Sequence, residues 1–343
     1  MLSKTACWFV SLLFAPIAVF AADPQPRVAA LRQFPTVGVA FTPPAGWQEM
    51  TRDKHKMVAG WVSSDSRPRD IHAMIQVEAA KPTVDDAQAT AKAMAGDWGG
   101  KVADSPLTLD GKPAWRVESP TPAKSGLQPV EGIIAMREGY VYMIMGGVTP
   151  GHSCHDAIES IRKSWKWTPI ETPVKHLEFR DKPMIVFNNG VSINFPALMH
   201  TYPTKTPNRV LDLGFYNLAR NAPDFLAYVQ QAAVPAGVKL DALENKLATN
   251  TQEKYKLAEA FVWHGLKGAT PRAITQPVRI PPEAPDALAN GYVMWALIEL
   301  PKGRLILINF TIVSENAPDR AEFEKAAQKI VGSVQAAKRG SGG

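Results

Sequence analysis

The chain has 343 residues, 45% of them apolar, and a formal net charge of +6. Its 38 lysines and arginines are spread without a basic run, which argues against a nucleic-acid surface. Only two cysteines are present, Cys7 and Cys154. The fold must therefore rest on hydrophobic cores, and at ~100–200 residues per domain the length corresponds to two domains.

The first 21 residues read as an export signal. Lys4 precedes an apolar run from Trp8 to Phe20, and Val19 and Ala21 stand at the small-residue positions of a cleavage site. The run contains Pro16 and is shorter than the ~20 residues that span a bilayer, so no stable membrane anchor is expected after cleavage. The mature chain keeps Cys154 alone and is expected in the periplasm.

A first domain is expected over residues 34–168. It opens with GVAFTPP at 38–44, followed by MVAGWVSS and DIHAMIQVEAA. In the last of these Ile71, Ala73, Ile75 and Val77 alternate with Asp70, His72, Gln76 and Glu78, the pattern of a half-buried strand. PTVDDAQATAKAMAGDW predicts a helix, with Thr83 and Asp86 in capping-box spacing and Val84, Ala87, Ala91, Met94 and Trp98 on one face. A strand at Lys112–Glu118 leads into two apolar runs joined by Arg137-Glu138-Gly139, which mark a β-hairpin. The domain closes with a helix in AIESIRKSWKW, from Ala157.

The Pro-rich, charged stretch 169–183 reads as a linker to a second domain over 184–337, which repeats the order. GVSINFP lies 152 residues beyond GVAFTPP, at 190–196. RVLDLGFYNLA follows, then a helix entered through NAPDFLAYVQQ, with Asn221 and Asp224 in capping spacing. A second helical stretch surrounds Leu240, Leu243 and Leu247, and a strand is expected near 258–265. The hairpin runs over 290–313 with its turn at Pro301-Lys302-Gly303, and the last helix contains AAQKIVGSVQA from Ala326. In the two closing helices Ala, Ile and Ser recur at the same three places. Residues 338–343 should form a loose tail.

In YVYMIM both Val141, Met143, Met145 and Tyr140, Tyr142, Ile144 are apolar, and such a strand must be covered on both sides. The expectation is an α+β chain of two tandem domains, each an antiparallel sheet with helices on both faces, an α/β/α sandwich. This plan resembles the PsbP-like superfamily, through the strand ending in TPPAGWQEM, the capped helix, the hairpin and a last helix closing in SIRKSWKW. The second copy has Ala197-Leu198 where the first has Gly46-Trp47. The superfamily includes extrinsic photosystem proteins, a nuclear Ran-binding factor and bacterial envelope domains. The resemblance implies protein binding rather than catalysis and carries over no catalytic residue. In overall plan the chain is also similar to periplasmic immunity proteins against secreted lipases.

The common catalytic signatures and any Cys-x-x-Cys are missing from the sequence. Asp85-Asp86 sit where a helix N-terminus favours negative charge. The one stretch with the residue types of a metal or thiol site is TPGHSCHD, where His152, Cys154 and His155 are candidate ligands suited to copper or zinc. Against that, Cys154 and His155 are adjacent on a helix, about 100° apart. Ser153 with Asp156 also reads as a capping box, and the second copy starts its helix with neither Cys nor His. The expectation is therefore no catalytic residue, no cofactor and no bound metal. The function expected is an exported protein-binding module, such as an envelope interaction or immunity protein, whose partner is another protein. The alternatives are a metal- or thiol-dependent protein centred on Cys154, or a carrier of a small apolar ligand.

Overall fold

A computed structural model describes residues 30–50, 57–64, 71–120, 126–186, 190–202, 209–218, 222–233, 240–257, 259–266, 272–281, 291–301, 304–314 and 316–336. The expected signal peptide and tail, Asn221 and the turn residues Lys302 and Gly303 lie outside these. The fold is α+β, and the chain divides into two compact units between Ile170 and Glu171.

The first unit contains β1 (Arg32–Phe34), β2 (Val39–Phe41), β3 (Gln48–Glu49), β4 (Met57–Ser64), β5 (Ile71–Ala80), α1 (Ala87–Trp98), β6 (Lys101–Val102), β7 (Leu107–Leu109), β8 (Lys112–Glu118), β9 (Gln128–Arg137), β10 (Tyr140–Val148), α2 (His155–Ser164) and β11 (Lys166–Trp167). The large sheet runs β3-β4-β5-β10-β9-β8-β6, with β7 beside β8, and a small sheet runs β1-β2-β11. Between β9 and β10, Glu138 and Gly139 both have positive φ, 53° and 76°, the requirement of a two-residue hairpin turn matching strand twist. Val141 and Met143 on one face of β10 bury against Ala91, Met94 and Ala95 of α1. Towards the other face come Ile158 of α2 and Trp165, which stacks on Phe41 with ring centroids 5.2 Å apart. Gly146 is required there, because Cys154 Sγ and Ile158 Cδ1 fill the space its Cβ would occupy.

Two local expectations are corrected in this unit. Asp86, not Thr83, caps α1, accepting from the Gln88 N–H at 2.8 Å, and Val84 is exposed. β5 is not half-buried. It lies inside the sheet, and Gln76 and Glu78 are as buried as the apolar residues between them.

The second unit contains β12 (Met184–Val186), β13 (Val191–Ile193), β14 (His200–Tyr202), β15 (Arg209–Asn217), β16 (Ala222–Ala233), α3 (Leu240–Tyr255), β17 (Trp263–Leu266), β18 (Arg272–Thr275), β19 (Val278–Arg279), β20 (Tyr292–Leu300), β21 (Arg304–Ile312), α4 (Ala317–Ser333) and β22 (Gln335–Ala336). Its large sheet runs β14-β15-β16-β21-β20-β18-β17, with β19 beside β20, and its small sheet β12-β13-β22. Along the seven-strand path this is the order of the first unit, but the extra strand differs in place: β7 lies beside β8, whereas β19 lies beside β20, the counterpart of β9. The helix expected at NAPDFLAYVQQ is instead β16. Phe225, Ala227 and Val229 alternate into the core, and the strand pairs with both β15 and β21, so sheet position overrides the capping-like spacing. The element after that strand, where the first unit has α1, is α3.

The stretch expected as a linker belongs structurally to the second unit from Glu171 onward. Val174, Leu177 and Phe179 pack against its core, and Phe179 pairs with Pro196. Phe323 of α4 stacks on Phe225, with centroids at 5.1 Å. A smaller cluster of Leu257, Phe261, Val278, Ile280 and Val293 meets Ala248 of α3.

The serine that recurs in both closing helices has the same task twice. Ser164 Oγ accepts from the Thr42 N–H at 3.0 Å and donates to the Ser160 carbonyl at 2.8 Å. Ser333 Oγ accepts from the Asn194 N–H at 2.9 Å and donates to the Ile330 carbonyl at 2.6 Å. Each serine thereby closes its last helix onto the residue that follows the middle strand of the small sheet. The repeated glycines match too: the Gly38 carbonyl accepts from Arg137 at 3.1 Å, and that of Gly190 from Arg304 at 3.5 Å. Ser164→Ala and Ser333→Ala should each destabilise the chain by about 1 kcal/mol. Denaturant unfolding of the two variants checks this; a loss at one serine and none at the other would break the equivalence.

Candidate functional site

Along α2 and the strand beneath it lie Glu131, Cys154, Glu159 and Arg162, whose ionisation is shifted by burial or by neighbouring charge. Thr149-Pro150-Gly151 turns out of β10, and Gly151 has φ 82°. Cys154 occupies the N-cap position without a side-chain bond to the helix, while Ser153 Oγ accepts from the His155 N–H at 3.2 Å. Ser153 thus serves the helix start from one residue further out than the sequence pattern implied.

The three candidate ligands diverge. Cys154 points inward against Gly146 and is 2% exposed. Burial pushes its thiol up to about 12, with the Glu131 charge adding to the effect. His152 hydrogen-bonds with Thr149 Oγ1 at 3.0 Å and stacks on His72, ring centroids 4.2 Å apart. His155 turns the other way, its Nδ1 lying 3.1 Å from Glu131 Oε2. Among the described residues no three His, Cys, Asp or Glu side chains gather into a metal-binding group. A helix N-terminus acidifies a thiol only if solvent and helix amides reach the sulfur, and here the sulfur faces the sheet.

Sequence reasoning missed an ionic network beside these residues. Arg116 of β8 approaches Glu131 Oε1 of β9 at 3.2 Å and hydrogen-bonds Glu159 of α2. Arg162 grips Glu159 from one turn along, with contacts of 2.8 and 3.0 Å. The sheet register explains the grouping, since Arg116 pairs with Ile133 and so shares a face with Glu131. Burial raises the Glu131 carboxyl, partly offset by the Arg116 charge. Burial acts on Glu159 too, but hydrogen bonds from Arg162 and Arg116 outweigh it and hold that carboxyl below its usual range. Only the Glu159–Arg162 pair, three residues apart on a helix, was visible in the sequence.

The network fastens α2 to the sheet, and the second unit fastens its last helix with an arginine as well. Arg272 of β18 donates to the Gly332 and Val334 carbonyls, at 3.0 and 2.7 Å. The first unit uses carboxylates as acceptors and the second uses helix-end carbonyls.

Two outcomes follow from this geometry. Native Cys154 should resist alkylation at pH 8 and react on unfolding. The raised thiol contributes stability in full below its ordinary value of 9.0, and that contribution is lost as the pH climbs from there to about 12. The loss approaches about 1.4 kcal/mol per pH unit. Unfolding curves of the wild type and Cys154→Ala should therefore converge in slope only when this window is avoided. Arg116→Ala leaves the buried Glu131 with His155 alone beside it, while Glu159 keeps Arg162, and should cost about 3 kcal/mol, measurable by denaturant unfolding.

No family model and no curated protein sequence matches the chain. Among solved structures it is similar to PsbP (CyanoP) from Synechocystis sp. PCC 6803, at 11% identity and TM-score 0.33, over 47% of this chain and 92% of that one. It is also similar to the Saccharomyces cerevisiae Ran-binding protein Mog1p, at 10% identity and TM-score 0.35, over 47% of this chain and 97% of that one. A third likeness is to a Bacteroides thetaiotaomicron VPI-5482 protein, at 16% identity and TM-score 0.29, over 47% and 50% of the two chains. Scores at this level assign the chain neither a family nor an activity.

Proposed function

We propose that the chain is an exported, non-catalytic protein-binding module made of two copies of one PsbP-like domain, each an α/β/α sandwich, in which immunity to a delivered toxin is the specific role. The supporting observation is the repeated frame. The same strand order is built twice, and Ser164 and Ser333 close it in the same way. What differs between the two units is side-chain chemistry, since among the described residues the His155, Glu131 and Arg116 network has no counterpart in the second. A duplicated frame with divergent decoration fits recognition of a partner, because function resides in what a fold displays. Large apolar side chains stand half exposed in each unit, Val84 in the first and Ile185 and Val262 in the second.

The test is capture by chemical crosslinking in envelope fractions, followed by reconstitution from purified components. One protein should be recovered in fixed stoichiometry and should bind the purified chain. Deletion of the gene should also sensitise cells to a neighbour delivering the cognate toxin. Recovery of no partner under several crosslinking conditions would overturn the binding reading; unchanged sensitivity would remove the immunity role alone.

A further inference from the structure

The two faces of the second unit's large sheet are unlike. The face under α4 is apolar at its centre, with Ala227, Met294, Ala296, Ile308 and Phe310 buried in the core. On the opposite face Trp295 packs against the same small cluster as Ala248 of α3, and it belongs to a row that crosses the strands. The register sets Trp263 of β17 beside Thr275 of β18, and Trp295 of β20 beside Asn309 of β21. It continues from Asn309 to Tyr228 of β16 and from Tyr228 to Asp212 of β15. The row is joined between β18 and β20, where the Trp295 N–H donates to Thr275 Oγ1 at 3.0 Å. Aromatic rings therefore stand on every second strand, with polar side chains on the strands between.

The helix does not seal this row. The sixth pair from the hairpin turn is Gly132–Met145 in the first unit and Trp295–Asn309 in the second. Over Gly132, Cη2 and Cζ3 of Trp98 in α1 lie 3.1 and 3.2 Å from where a Cβ would stand, so helix and sheet meet closely there. In the second unit the indole belongs to the strand and occupies that space from below. Among the described side chains of α3 only Thr251 is buried, whereas α1 buries Ala91, Met94 and Ala95. Trp295, Asn309 and Tyr228 consequently stay partly exposed, although β20, β21 and β16 are the middle of the sheet. Trp263 is partly exposed as well, and the Nε1 atoms of both tryptophans are buried without an acceptor among the described residues. A ligand rich in hydroxyls can meet that need.

We propose that this row is a binding site for a linear β-1,4-linked oligosaccharide lying across the strands. An aromatic ring takes the C–H face of a pyranose, while the Asn309 amide offers both a donor and an acceptor to neighbouring hydroxyls. Adjacent strands lie about 4.8 Å apart, so the rings recur every ~9.6 Å. In a β-1,4 chain each sugar is turned over relative to the last, and the same face recurs once per disaccharide, at close to that distance. Trp263, Trp295 and Tyr228 thus match alternate sugars of a straight chain. An α-1,4 chain coils and does not keep step with them. The site belongs to the second unit and stands whether or not the protein-binding role does.

The test titrates the full chain with chitotetraose, cellotetraose and maltotetraose, read by calorimetry and tryptophan fluorescence. A tetramer covers the strand intervals from Trp263 to Tyr228. Chitotetraose or cellotetraose should bind one to one, their ratio telling whether N-acetyl groups are read, and maltotetraose should bind at least about tenfold more weakly. Trp263→Ala and Asn309→Ala should each lower the affinity at least about fivefold, while Cys154→Ala leaves it unchanged. Binding of neither β-1,4 tetramer, equal binding of maltotetraose, or retained affinity in either row variant would overturn the proposal. Should the variants not fold, the unaltered chain labelled with ¹⁵N at the indoles answers the question. On saturation with a β-1,4 tetramer the Trp263 and Trp295 signals should move together while those of Trp61 and Trp165 stay in place. Unmoved row signals would equally overturn the site.

Discussion

Everything in the first unit is arranged around the need to keep water from both sides of β10. Its central residues are apolar on each face, so the strand cannot lie at a surface, and neither can β9 beside it. β5 and β9 flank it in the sheet, α1 covers Val141 and Met143, and α2 and the small sheet approach the opposite face. The second unit meets the same requirement for β21 with β16 and β20 alongside and with Phe323 and Ile330 of α4 on one face. The helices are amphipathic covers whose place is dictated by the hairpins. The small sheets then secure the closing helices through one serine apiece.

Much of this was legible in the residues because it is local. The hairpin turn at Arg137-Glu138-Gly139, the runs on either side and the recurring Ala, Ile and Ser all lie within short windows. What escaped was decided by distant neighbours. Asn221 and Asp224 had helix-start spacing, yet Phe225, Ala227 and Val229 are claimed by a sheet whose other members are remote in sequence. Gln76 and Glu78 looked solvent-facing until β4 and β10 enclosed them. Arg116 and Glu159 stand 43 residues apart and meet only because a helix lands on a sheet face. The stretch around Cys154 was legible as a helix start, while the inward turn of its sulfur depended on Gly146 in another element.

The two units combine a similar strand order with different chemistry. An arginine from the strand next to the hairpin holds the last helix in both, yet its acceptors are carboxylates in one case and main-chain carbonyls in the other. Shape requirements are shared between the units, whereas charge and sulfur are distributed separately. Methionine is concentrated in the first unit's sheet, and stacked phenylalanines, Phe225 with Phe310 and Phe323, are the corresponding feature of the second.

The two-residue turn at Glu138-Gly139 also bears on the order in which the first unit assembles. Pairing β9 with β10 closes almost no loop, so that hairpin forms on the microsecond scale of local contacts. β5 must then arrive from some 60 residues upstream, bringing the slower non-local pairing with it. In the interval the hairpin offers two uncovered apolar faces and two open edges, the most association-prone surface the unit presents. α2 follows β10 after only six residues, so the C-terminal cover comes from nearby and shortens that exposure. The position of the closing helix is therefore a kinetic safeguard as well as a thermodynamic one.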